Sequence, residues 1–344
     1  MRAALFLGLF LVSAGAEPCL AKIKKSPLTL ESINAAPHPT GKVATKGNPA
    51  IVRAQALLAR RQFSPGVIDG NNGENFQKAL RAFQRKENIS PTGKLDDPTW
   101  VKLSGDAEEA AFIVYAIEEA DVKGPFVRSI PKDYEKMAEL DIVGYRSARE
   151  LLAEKFHMSE SLLEILNKRT DLTRAGVQII VANVRPTEAT SQSGRKGKGK
   201  ASAESAPEVS RIEINKAERA LRVFDDRDQV IAYYPASIGS EEKPAPSGRL
   251  TVQTISRNPT YRYDPKYKFK GQKAESPVEV PPGPNSPVGL VWIGLSAESY
   301  GIHGTPAPEN IGKTESHGCV RLTNWDALAL AKLARKGIPV DFVD

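Results

Sequence analysis

Two short stretches near the C-terminus hold most of the side chains in this sequence that can do covalent chemistry. The first is Gly301-Ile302-His303-Gly304-Thr305-Pro306, and thirteen residues after His303 the second begins, Ser316-His317-Gly318-Cys319-Val320-Arg321-Leu322-Thr323-Asn324. The 344 residues include four histidines and two cysteines, and two of the former and one of the latter fall in this window. A free thiol, with a pKa of about 8.5, is mostly protonated at neutral pH; an imidazole beside it takes the proton or stabilises the thiolate as imidazolium. Nucleophilic catalysis by Cys319 is the chemistry such a pairing supports, with His303 and His317 both open as the base. Gly304 and Gly318 let the backbone turn sharply and a substrate come close, and the amides around Gly318 and Cys319 can donate to a developing oxyanion. Arg321 lies two residues beyond the cysteine. In an extended segment the two share a face, where a guanidinium can hold a substrate carboxylate by a bidentate pair. Two rival readings use the same residues. One is a structural cysteine near unrelated histidines. The other is zinc on His303, His317 and Cys319, for which no Cys-x-x-Cys or His-x-x-x-His pair completes a tetrahedron.

The ordered pair IHGT and SHGCVRLTN resembles the catalytic signature of the L,D-transpeptidases of bacterial cell walls, the YkuD or ErfK/YbiS family. The resemblance implies that Cys319 is the acylated nucleophile and His303 the base, oriented by the backbone carbonyl of Gly304. Ser316, His317, Gly318 and Arg321 would shape the oxyanion and substrate site. It implies attack on a tetrapeptide stem of peptidoglycan, release of D-alanine, and transfer of the acyl group to the side-chain amine of a diaminopimelate or to a lysine of a wall-anchored protein. No cofactor and no metal are called for. Water as acceptor would make the same site an L,D-carboxypeptidase. A wall-binding protein with an idle catalytic domain is the alternative from another class, and the intact thiol and both histidines argue against it.

The elements that must carry this site follow from the rest of the chain. Arg2, the apolar run Ala3 to Val12 and the small residues Ala14-Gly15-Ala16 read as an export leader over residues 1–21, too short to anchor in a bilayer. Cys19 lies at its end and carries no assigned role. Export places the protein in the periplasm or cell wall, with no transmembrane anchor after cleavage. Lys and Arg total 48 against 41 Asp and Glu, net +7. This mild excess suits an anionic polymer such as wall stems with free carboxylates, and nothing resembles a nucleic-acid module. Residues 22–47, rich in Pro, Ser, Thr and Lys, read as a linker.

From 48 to 104, Ile51, Ala54, Leu57 and Leu58 share one helical face and Phe76, Leu80 and Phe83 another, with turn chemistry at SPGVIDG and PTGKL. This arrangement resembles the three-helix peptidoglycan-binding domain, with Phe83 and Trp100 in its core. From 111 to 184, a strand at Phe112–Ala116, helices capped by Ser147 and Ser159, and a strand from Gly176 to Val181 form a βααβ pattern. It resembles a glycan-binding LysM module, but departs from it by a long insertion, Glu118 to Leu140. His157 reads as a packing or surface histidine. Residues 185–209 form a flexible basic linker, with Arg195, Lys196, Lys198 and Lys200 close together.

The catalytic domain, 210–344, shows short strands divided by charged turns, which predict a mainly-β antiparallel sandwich. The fold class expected is therefore multidomain: this sandwich, preceded by the small three-helix domain and the βααβ LysM-like domain. The stretch Asn258 to Pro287 reads as a long irregular loop walling the thiol. Thr323 or Asn324 caps a helix expected to run to Lys336, and a last strand covers Val340 to Val343.

Overall fold

The computed structural model describes residues 28–39, 47–105, 109–184, 208–240, 243–267, 272–316 and 318–344. The segment read as a leader, with Cys19, the basic cluster from Arg195 to Lys200, and His317 lie outside the described residues.

Helices α2 (Pro49–Arg60), α3 (Glu74–Lys86) and α4 (Asp97–Gly105) form the first module. Asn48 starts α2 by accepting from the Ala50 amide at 2.9 Å, ahead of Pro49 at the first turn, where proline costs no hydrogen bond. The expected apolar faces are buried, with Ile51, Leu57, Leu80 and Phe83 no more than 1% exposed. The segment read as a linker is in part ordered. Thr29 caps a short helix α1 (Leu30–Asn34), Ile33 is fully buried, and the Asn34 side chain exchanges two hydrogen bonds with the backbone of Phe112. Ala36 is buried with Ile33, and Leu28 and Leu30 pack against the same core, so a few apolar residues dock a stretch whose composition suggested a linker.

In the second module β1 (Phe112–Ala116) pairs antiparallel with β2 (Gln178–Ala182), and α7 (Ala148–Lys155) and α8 (Glu160–Leu166) lie between them in sequence. Ser147 and Ser159 cap these helices as their sequence positions require. The insertion contributes two more short helices, α5 (Glu119–Lys123) and α6 (Tyr134–Ala138). Within it Asp121 takes the Lys155 ammonium at 2.7 Å, both side chains being buried.

The C-terminal domain is mainly β. Its strands are β3 (Val209–Asn215), β4 (Ala220–Asp225), β5 (Val230–Pro235), β6 (Ser237–Ile238), β7 (Gly248–Arg257), β10 (Val291–Leu295), β11 (Gly301–His303), β12 (Val320–Arg321) and β13 (Pro339–Val343). They join in the order β5-β4-β3-β13-β7-β10-β11-β12-β6. Pairing is antiparallel except for β13 with β3 and β11 with β12. β7 serves both halves: residues 248–251 pair with β13, and 252–257 with β10. One apolar cluster draws on both halves, from Ile212 and Val223 to Ile293 and Val320. Helix α9 (Asn324–Leu333) is capped by Thr323 and ends earlier than expected, because Ala334 is already extended, with ψ 150°. The stretch read as an irregular loop contains a hairpin, β8 (Tyr261–Tyr263) against β9 (Val278–Val280).

Both front modules pack directly on the C-terminal domain. Tyr233 in β5 donates its amide to the Gln62 carbonyl at 2.8 Å and accepts from the Ser64 amide at 2.9 Å. Ser64 Oγ donates to Asp326 at 2.9 Å, and Asn75 Nδ2 to the Ile311 carbonyl at 2.8 Å. From the second module, His157 stacks on Trp325 with ring centroids 5.2 Å apart, so its place is in an interface core. Among the described residues no helix is long and apolar enough to cross a membrane.

Candidate active site

Alternation along the strands brings the site together. Ile293, Ile302, Val320 and Ile238 pair in successive rungs from β10 to β6 and all point into the apolar core. The next rung, Trp292, His303, Arg321 and Ser237, must therefore face the other way. Alternation thus puts His303 and Arg321 on one face, and Cys319 stands in the bend immediately before β12, close enough to Arg321 to feel its charge.

His303 is 4% exposed and stacks on Trp292, centroids 5.5 Å apart and planes 20° off parallel. Its Nδ1 lies 2.7 Å from the Gly304 carbonyl. A carbonyl only accepts, so Nδ1 carries the proton and donates it, which leaves the Nε2 lone pair for a base. Burial, reinforced by the Arg321 charge, pushes His303 down to about 3, so the ring is neutral across the physiological range. The Cys319 thiol is half-buried and donates to the Ser299 carbonyl at 3.7 Å. Burial pushes it above the ordinary thiol range, against the opposing pull of the Gly301 amide and Arg321. At neutral pH Cys319 is accordingly a thiol and His303 a neutral imidazole.

Around these two, Ser316 fixes the turn. Its Oγ donates to the Cys319 carbonyl, and its amide donates to the Gly239 carbonyl at 3.0 Å. Gly318 has φ 102°, and a Cβ there would stand 3.1 Å from the Tyr300 ring. Of the seven residues singled out in the sequence, Gly304, His303, Ser316, Gly318, Cys319 and Arg321 converge here, and His317 lies outside the described residues.

Sequence reasoning missed Asn324 except as a possible cap. It is fully buried, accepts from the Leu290 amide at 3.2 Å, and donates to Glu154 and to the Pro284 carbonyl, both at 3.0 Å. A Cβ on Gly304 would come within 2.2 Å of its Oδ1. Asn324 thus braces the backbone that orients His303, and Glu154 of the second module braces Asn324. Burial pushes Glu154 up to about 8 and Asp326 up to about 7. The available signal was Glu150 and Glu154, two carboxylates four apart on a helix whose core face they share.

A half-buried thiol, a tautomer-fixed imidazole and a cation gathered at the edge of a mainly-β domain are the groups that acyl transfer through a cysteine would need. Comparison with known proteins is specific: residues 210–341 match the L,D-transpeptidase catalytic domain, YkuD, and residues 47–103 match the "Putative peptidoglycan binding domain". The chain is 31% identical over 136 residues to "Putative L,D-transpeptidase YqjB" of Bacillus subtilis, covering 38% of this chain and 69% of that one. It is 32% identical over 130 residues to "Putative L,D-transpeptidase YkuD" of Bacillus licheniformis, covering 38% and 63%. With "Probable L,D-transpeptidase YbiS" of Escherichia coli K12 the identity is 36% over 136 residues, covering 39% and 44%. The chain belongs to the YkuD family of L,D-transpeptidases. It spans less than two thirds of the length of the Bacillus licheniformis and Escherichia coli relatives. Among solved structures, L,D-transpeptidase 3 of Mycobacterium tuberculosis with a faropenem-derived adduct gives a TM-score of 0.33 at 20% identity, covering 40% of this chain and 61% of that one.

Proposed function

We propose that this is an exported L,D-transpeptidase that modifies peptidoglycan, with Cys319 as nucleophile and His303 as general base. The observation that carries it is the contact of His303 Nδ1 with the Gly304 carbonyl, on the strand beside Cys319, which leaves Nε2 free to take the thiol proton. Cys319 Sγ attacks the carbonyl carbon of the third stem residue as its proton passes to Nε2. The oxyanion is held by amides around Gly318 and Cys319. The carbon–nitrogen bond to terminal D-alanine breaks, and the departing amine takes the proton from His303. An acceptor amine then attacks the thioester, loses its proton to His303, and the thiol is restored. Arg321 holds a stem carboxylate on the same face, and the buried Ser316 keeps the nucleophile's turn in place. Thiol chemistry of this kind needs no cofactor.

The sheet, folded across β7 around one core, is read as the sandwich that carries this site. Peptidoglycan is the partner for the front modules as well. The match over 47–103 supports this for the first, and the βααβ order of β1, α7, α8 and β2 supports a LysM-like glycan module for the second. Purified disaccharide-tetrapeptide tests the reading: a cross-linked dimer with D-alanine release is expected. Tripeptide monomer alone would reassign the acceptor to water, and an unchanged substrate would overturn the proposal.

A further inference from the structure

The insertion in the second module lies outside both matched domains, and together with the residues after it, to Gly144, it packs on the C-terminal domain. It grips the β8–β9 hairpin at both ends. At the far end, Gln272 accepts from the Tyr134 amide at 2.8 Å and donates to the Lys132 carbonyl at 2.9 Å. At the foot, Val143 donates its amide to the Pro282 carbonyl at 3.0 Å and accepts from the Asn285 amide at 3.1 Å, while Asn285 Nδ2 donates to the Gly144 carbonyl at 3.0 Å. Gly283, at φ 146°, passes so close that a Cβ would lie 2.2 Å from the Val143 carbonyl oxygen. Between the two grips Met137 and Val143 close a small apolar cluster with Val278 and Val280. The half-buried Tyr134 ring meets Tyr263 at 5.1 Å and Tyr261 at 5.6 Å.

This aromatic cluster borders the chemistry. β8 begins five residues after Ser256, which pairs with Trp292, the ring that His303 stacks on, and Asn258 between them donates to the Leu290 carbonyl at 2.9 Å; at that place the Tyr261 hydroxyl also feels the charges of Cys319 and Arg321. We propose that the segment from Lys132 to Gly144, the end of the insertion and the residues that follow it, is a working part of the active site: it clamps the hairpin beside Cys319 and supplies Tyr134 as one side of the surface that recognises the stem peptide. The second module then selects substrate at the catalytic centre itself, besides any role in holding the wall. Three tyrosine rings beside a guanidinium suit a short peptide that offers apolar methyl groups and a terminal carboxylate, which is the chemistry of a stem ending in alanine. This inference rests on the transpeptidase reading for the identity of the ligand. The clamp itself does not.

The test uses full-length Tyr134→Ala and Gln272→Ala, the second removing only two cross-element hydrogen bonds at a partly exposed position. Kinetics on soluble disaccharide-tetrapeptide should show KM raised at least tenfold in Tyr134→Ala, with kcat changed less than threefold. Hydrogen exchange across residues 261–285 should quicken at least tenfold in both variants. Alkylation of Cys319 by a bulky maleimide should speed up severalfold while iodoacetamide does not. Wild-type exchange, alkylation and KM in both variants would overturn the proposal. If wild type fails to turn over the fragment, the transpeptidase reading falls, while exchange and alkylation still decide whether the clamp exists.

Discussion

Glu154→Gln is the most informative single change at the seam between the second module and the catalytic domain. The Glu154 carboxyl is 7% exposed, accepts from Asn324 at 3.0 Å, and is pushed up by burial to about 8 from an ordinary value near 4.5. A carboxyl raised on folding adds stability that is complete below its unfolded pKa and is lost as pH rises through its folded pKa. Between pH 6 and pH 9 about two units of that window are crossed, and at about 1.4 kcal/mol per unit the loss is about 3 kcal/mol. Glutamine keeps the shape and the acceptor oxygen but has no proton to lose, so the variant should be spared this loss. Asp326, pushed up to about 7, loses stability over an overlapping range in both proteins and cancels in the comparison. Thermal unfolding at pH 6 and pH 9, read together with hydrogen exchange at the start of α9, measures the difference. The wild type should fall by several degrees more than Glu154→Gln. Equal falls in the two proteins would show that Glu154 is already ionised in the fold, and the reasoning about its burial would fail.

Three further outcomes follow from the same geometry. Iodoacetamide labelling of Cys319 should accelerate with pH and level off only above the ordinary thiol range, because burial raises the thiol and keeps His303 neutral down to about pH 3; a plateau already reached at pH 7 would reveal a thiolate–imidazolium pair. Gly304→Ala forces a methyl against Asn324 Oδ1 and should cost about 1–3 kcal/mol in chemical denaturation and lower D-alanine release, with Cys319 still present to be labelled. Asp121→Ala strands the buried Lys155 ammonium and should cost about 3–5 kcal/mol, visible as early melting of the second module by hydrogen exchange; a loss below 1 kcal/mol would mean that Lys155 finds another partner.

The chemistry was legible because it is nearly contiguous. His303 ends β11 and Cys319 immediately precedes β12, the strand beside it, and caps at Asn48, Ser147, Ser159 and Thr323 announce their helices by residue type. What the sequence withheld was partnership at long range. Periodicity says that Glu154 faces inward without saying that Asn324, 170 positions away, is waiting there. It shows an insertion after Phe112–Ala116 but not the hairpin that Tyr134 meets, since the partner is chosen by tertiary contacts. The helix expected to reach Lys336 stops at Leu333 for a similar reason. The chain must turn there for the Gly337 amide to reach the Val252 carbonyl at 2.8 Å and for β13 to enter the sheet.

The contact between Tyr233 and residues 62–64 also bears on solubility. β5 is an outermost strand of the nine-stranded sheet, and its outward backbone groups would invite a second molecule to pair with it. The chain leaving α2 occupies part of that edge, with the Gln62 carbonyl and the Ser64 amide taking the two hydrogen bonds of Tyr233 and with Phe63 bridging alongside. A catalytic domain expressed without the front modules would therefore carry a naked, tyrosine-bearing strand, and its first failing in solution would be to associate through that edge.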